Sequence, residues 1–317
     1  MRSIFVLLNI AVYSLSFAQT PEDVKNKEVM ARNKVKQQTS WDYKYMGGKP
    51  DKNGVKTSVT LFSTSGEITQ VNAFNPAGAV LHTEKYNYDS RGNKTEYTRK
   101  SGDNSYQKKY VYNEKNLLIE ESGFDGVENF RNLYAYDGQG NMTEIRYLKN
   151  SVMHEKRVFD KDGVTTTVSV YNKTGALTSK LVLIYDSRNN LIEESIYGIN
   201  QSPLEKKTYN YDEKKKLKEE ARYKLNKITV RNTYNYSPTG SLTEITEESP
   251  NVQRFTKKSM SYDARGNLVE IKWRRNSSEE FNSITYQYDD KGLCQTADTY
   301  YPSTKYRVLT KYTYDFY

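Results

Sequence analysis

The chain has 317 residues, 48 Lys and Arg against 39 Asp and Glu, a formal charge of +9, and 29 tyrosines. Its basic excess is dispersed among acids along the chain, which excludes the gathered basic patch of a nucleic-acid binder. The single cysteine, Cys294, excludes an intrachain disulfide and any two-thiol redox centre.

The first eighteen residues read as a secretory signal: Arg2, an apolar run over residues 4–11, and Ser16-Phe17-Ala18 before a mature start at Gln19. The run is too short for a membrane span. The expected address is therefore export, to the periplasm, the cell surface or the medium, with no transmembrane segment in the mature chain. Residues 19–40 form the second segment. Thr20, Pro21, Glu22 and Asp23 supply an N-cap, a first-turn proline and first-turn acids, and the spacing predicts a helix over residues 22–38 that caps the first open sheet edge.

Residues 41–317 form the third segment. Trp41, Tyr43 and Tyr45 alternate as in a strand, and residues 47–54 form a Gly-rich surface loop without the signature of a phosphate loop. One motif then recurs, clearest at residues 261–270: Ser-Tyr-Asp-Ala-Arg-Gly-Asn-Leu-Val-Glu, with close copies at 86–96 and 134–144. The Asp suits the first corner of a type I turn and the Gly supplies the positive φ of a bulge. The turn pairs are Asp89 with Gly92, Asp137 with Gly140, Asp263 with Gly266, and Asp289 with Gly292. With the Gly as bulge, Tyr262 should lie opposite Leu268. The motif's second aromatic falls at residues 88, 112, 136, 159, 185, 211, 236, 262, 288 and 314, a period of two strands and two turns. The expected fold is all-β, an antiparallel hairpin-repeat ribbon (a meander), open or curled, of about twenty strands behind a short helix.

Tandem Tyr-Asp-x-x-Gly-Asn-Leu resembles the YD-repeat, or RHS-repeat, family of exported and surface proteins, over residues 41–317. The resemblance implies a continuous β-sheet, which in large members spirals into a shell around cargo, and a carbohydrate-binding or surface-interaction role. The period here is longer than that family's, and the Asp-Pro-x-Gly core motif is missing, so the expectation is a short exported member without a toxin domain.

No catalytic constellation stands out. His82 and His154 lack metal-ligand spacing, and no Gly-x-Ser-x-Gly elbow occurs. Glu96, Glu144, Glu193, Glu219, Glu244 and Glu270 recur as a ladder that cross-strand Lys and Arg partners explain better than glycosidase chemistry. The Asp row is explained by turn capping better than by calcium. Neither a metal nor another cofactor is expected. Tyr97, Tyr147, Tyr197, Tyr223 and Trp273 recur in the second strand of successive units and are the candidate ligand-stacking stripe. The far-side turns holding Pro203, Pro250 and Pro302 are the candidate binding rim. The functional expectation is a non-enzymatic envelope scaffold binding polysaccharide or another surface polymer. Its alternatives are a protein-interaction or self-assembling scaffold using open sheet edges, and a glycoside hydrolase.

Overall fold

A computed structural model of the protein describes residues 21–200 and 203–317, so the expected signal segment lies outside the described residues. The Tyr–Asp–Gly units fold as expected at the turn level. Asp263 O accepts from Gly266 N at 3.0 Å, and Asp263 N donates to Asn267 O at 2.9 Å. The carboxylate of Asp263 accepts from the backbone N–H groups of Arg265 and Asn267, and its second oxygen accepts from the Asn267 side-chain amide. This last bond explains the Asn that follows the Gly in the best copies. Gly266 has φ +75°, and Tyr262 pairs with Leu268 while Val269 bulges out.

Three turns place a side-chain-bearing residue where the others have Gly: Asn116, Asn189 and Lys215, with φ of 61–64°. Lysine tolerates this region less well than asparagine. Lys215→Gly is expected to raise stability by roughly 0.5–1 kcal/mol, read as a higher denaturation midpoint.

The hairpins do not make an open ribbon. Among the described residues there are 23 strands, all antiparallel to their neighbours, and 22 of them form one closed barrel. The remaining strand, Lys49–Pro50, pairs only with the first strand. Closure is made by the first strand, Val35–Met46, which pairs with Val55–Phe62 on one side and with the last strand, Tyr306–Phe316, on the other. The seam runs from Val35 opposite Phe316 to Lys44 opposite Val308, and Tyr317 N donates to Lys34 O. Joining the two edges satisfies the backbone groups that an open ribbon would expose.

The helix spans Pro21–Arg32 and ends earlier than its spacing suggested. Lys34 turns left-handed, and Val35 already belongs to the seam, so strand pairing overrides the helical pattern of residues 35–38. The helix does not cap a sheet edge, because the barrel has none there. It crosses the rim formed by the Asp–Gly turns. Lys25 Nζ donates to Gly266 O at 2.6 Å, Lys27 pairs with Glu67 at 2.5 Å, and Arg32 donates to Lys291 O. Val29 and Met30 pack with Val35, Phe62, Leu293 and Tyr314.

Those contacts fix which face of the wall is the inside. The turns at residues 63–67 and 263–267 are six strand steps apart along the wall, about 28 Å at ordinary spacing, yet one short helix touches both. The helix therefore lies on the concave side. It packs on the same face as Tyr88, Tyr288 and Tyr314, so the tyrosine rows face the lumen.

A second use of tyrosine links the repeats. The hydroxyl of Tyr88 donates to Ile68 O, Tyr136 to Leu118 O, Tyr211 to Leu191 O, Tyr236 to Leu217 O, Tyr262 to Leu242 O and Tyr288 to Leu268 O, all at 2.8–3.0 Å. Each bond reaches the strand that follows the preceding turn of the same rim, and each contributes about 1 kcal/mol net. Tyr317 makes a different link, its hydroxyl donating across the first strand to Phe62 O.

Candidate ligand-binding site

The recurrent bulge resets side-chain direction after every Asp–Gly turn, and this divides the acidic residues into two rows. The expected ladder lies on the outer wall. Glu193 pairs with Lys206 at 2.6 Å and Glu219 with Arg231 at 3.4 Å across strands, while Glu144 pairs with Arg146 and Glu270 with Lys272 along one strand. Glu96 accepts from Asn87 and Gln107, and Glu244 from Asn235 and Thr256. Every one of these carboxylates is engaged by a neighbour on the outer surface.

A second, unanticipated row faces the lumen. Glu84 accepts from the Tyr86 hydroxyl at 2.5 Å and lies near Arg99. Glu121 accepts from Lys108, Asn132 and Tyr134, Glu194 from Lys207 and Tyr209, and Glu220 from Arg222 and Tyr234. Each unit thus combines a phenol, a carboxylate and a cation. Burial first, then the adjacent carboxylate, pushes the Tyr86, Tyr134, Tyr209 and Tyr234 hydroxyls well above their ordinary pKa. The acidic doublets Glu120-Glu121, Glu193-Glu194 and Glu219-Glu220 carry the sequence signal for this row, since in a strand one member must face each way.

The five expected stripe residues divide in the same way. Tyr97 pairs with Tyr86, Tyr147 with Asn132, and Trp273 with Lys258, all on the luminal face. Tyr197 pairs with Lys180 and Tyr223 with Lys206, on the outer face. They therefore form no single stripe. Tyr97 rests 5.2 Å from the Tyr86 ring, and the Arg157 guanidinium lies over Tyr147 at 5.0 Å. Trp273 has a different setting, at the mouth opposite the Asp–Gly rim. Its ring meets Tyr301 edge-on at 6.0 Å, and Tyr301 lies 6.2 Å from Tyr306. Tyr301 and Tyr306 are 37% and 42% exposed. Pro302 follows in a short 3-10 turn on this rim.

The Asp–Gly mouth holds the second concentration of functional groups, between the helix and the wall. A cavity of about 580 Å³ there is lined by residues from the helix and from strands on both sides of the seam. Burial outweighs the Thr296 backbone contact and pushes the Cys294 thiol up to about 11, which keeps it protonated and unreactive at neutral pH. Among the described residues, no three His, Cys, Asp or Glu side chains are grouped to hold a metal. Asp89, Asp137, Asp263 and Asp289 accept hydrogen bonds inside their own turns.

At this mouth Glu67 is desolvated by burial, which alone would raise its pKa. Bonds from Lys27, Ser65 and Ser63 prevail and hold it at about 2. A carboxyl depressed in the folded protein stabilises above its ordinary titration range and loses that contribution as pH falls toward the folded value. Acidification from pH 4.5 to 2 is therefore expected to release the helix, removing up to about 3 kcal/mol. Glu67→Gln should abolish this step when amide-hydrogen exchange of residues 25–32, followed between pH 4.5 and 2, is compared with wild type.

No helix among the described residues is long and apolar enough to cross a membrane. No protein-family model and no curated protein matches the chain. Three solved structures give the scale of structural likeness. The crystal structure of TcdB2-TccC3-Cdc42 aligns at 12% identity over 87% of this chain and 19% of that one, with a TM-score of 0.29. This chain thus spans about a fifth of that chain's length. A porin-like protein from Bacteroides uniformis aligns at 11% identity over 89% of this chain and 98% of its own, with a TM-score of 0.33. A protein of unknown function from Bacteroides fragilis aligns at 13% identity over 62% of this chain and 97% of its own, with a TM-score of 0.16. At these scores the likenesses add nothing to the reading of the site, which rests on the barrel's own residues.

Proposed function

We propose that this chain is an exported, non-enzymatic member of the YD-repeat type that binds a carbohydrate or another surface polymer at the mouth opposite its Asp–Gly turns. The observation that carries the reading is the aromatic cluster of half-buried Trp273 with exposed Tyr301 and Tyr306. Such rings offer flat apolar faces to a sugar while their polar edges stay in water. The outer-wall ladder supplies no converging carboxylate pair, because its members are held by neighbouring bases and amides. Outward ion pairs at mid-strand also fit an aqueous setting for the wall, since a lipid-facing barrel surface carries an apolar band there. Barrel closure weakens the alternative of an assembly scaffold, because the edges it would use are paired with each other.

A panel of neutral and anionic polysaccharides, with reducing ends read in the same wells, tests the proposal. Binding without release is expected, and Trp273→Ala combined with Tyr301→Ala should weaken it at least about tenfold. Release of reducing ends, or unchanged binding by the folded double variant, would overturn it.

A further inference from the structure

The cavity beneath the helix is separate from the far-mouth aromatic cluster and has its own chemistry. Apart from tyrosines and Cys294, the ionisable residues lining it are Lys27, Glu67 and Lys94. Lys27 is neutralised by Glu67 at 2.5 Å. Lys94 has no carboxylate within ion-pair distance among the described residues, and its ammonium lies 4.9 Å over the Tyr86 ring. Glu84, the acid whose charge reaches Lys94, accepts from the Tyr86 hydroxyl and lies within 4 Å of Arg99 and His82. Burial first, and then the charge of Lys108, draws Lys94 below its ordinary pKa, with Glu84 opposing. A half-buried cation without a counter-ion is unfavourable by itself and is relieved when an anion enters.

The cavity that Lys94 lines is also lined by Tyr86 and by Tyr88, its cross-strand partner, by Tyr286, Tyr288 and Tyr312 from across the seam, and by Met30 of the helix. The Tyr88 and Tyr288 hydroxyls are committed to wall carbonyls, so these residues present ring surface to the cavity. The volume of about 580 Å³ lies within the range of small-molecule sites. One unpaired cation matches one negative charge, whereas a phosphate dianion calls for several converging donors.

We propose that this cavity is a binding site for a small organic carboxylate with a ring body, the carboxylate on Lys94 and the ring between the tyrosines. The helix forms the side of the site that faces the strand wall. Calorimetric titration of the whole protein with benzoate, glucuronate, glucose and inorganic phosphate tests it. At least one of the two ring carboxylates should bind with one site per chain, more tightly than glucose or phosphate. Lys94→Met should weaken that binding at least about tenfold, Lys94→Arg should retain most of it, and Trp273→Ala should leave it unchanged. On the unaltered protein, the bound carboxylate should slow reductive methylation of Lys94 relative to the exposed lysines, read by mass spectrometry. Absence of carboxylate binding, equal binding of glucose or phosphate, or unslowed methylation of Lys94 in the saturated protein would each overturn the proposal. A folded Lys94→Met variant with undiminished affinity would do the same.

Discussion

Replacing Gly66 by alanine should undock the helix and open residues 25–32 to trypsin, with a loss of about 2–4 kcal/mol. Gly66 has φ +83°, and a methyl group on its α-carbon would run into the Lys27 carbonyl oxygen and the Ala31 backbone nitrogen. Neither obstacle is the flexible end of a side chain, so the helix cannot stay where it is. Once it lifts, Val29 and Met30 leave their contacts with Phe62 and Leu293, and Glu67 loses Lys27. Gly78 provides the control. It shares φ +83° in an equivalent turn, but a methyl group there meets nothing within 4 Å. Gly78→Ala should therefore cost only the backbone strain, about 1 kcal/mol, and leave the helix protected. Equal losses in the two variants would show that Gly66 serves its turn alone.

Tyr314→Ala should be the more damaging single change, at about 3–5 kcal/mol. Tyr314 sits in the seam opposite Gln38, and its ring packs in the cluster of Val29, Val35, Phe62 and Leu293. Its hydroxyl donates to Cys294 O at 2.6 Å and accepts from the Gln38 amide at 2.9 Å. One side chain thus joins the last strand to the first strand, to its other neighbour and to the helix. Tyr314→Phe keeps the packing and should cost only about 1–2 kcal/mol. Chemical denaturation of both variants separates the contribution of the ring from that of the hydroxyl.

Local structure was legible in the motif because each residue's role there is local. Asp263 and Gly266 form the turn by themselves, and the opposition of Tyr262 and Leu268 follows from the turn geometry. Closure was not legible. The repeat specifies how each strand meets the next, and every unit would read the same in a ribbon or in a barrel. What closes the barrel is the complementarity of two segments far apart in sequence, residues 35–44, which precede the repeat and begin in a helical pattern, and 308–316, which include its last copy at 312–315. The stripe failed for a related reason. Trp273 lies three residues after Glu270 and Tyr223 four after Glu219, and that single step sends their rings to opposite faces. The luminal carboxylates were hidden beside the regular ladder, as second members of doublets such as Glu193-Glu194. Lys94 and Glu67 gain their roles only from the curvature that brings strands on both sides of the seam to one cavity.

The closed seam is the feature on which the lumen, the helix-covered cavity and the inward tyrosine rows all depend. Thr39 and Thr313 are direct partners across it on the outer wall, far apart in sequence. Placing cysteines at both positions, with Cys294→Ala to remove the native thiol, tests closure directly, since partners in a sheet lie within disulfide reach. Mild oxidation of the dilute protein should give an intramolecular crosslink, seen as a faster-migrating band on a non-reducing gel and as a linked peptide in the digest. Free thiols that persist, or crosslinks only between chains, would mean that the two edges stay apart and the sheet is open.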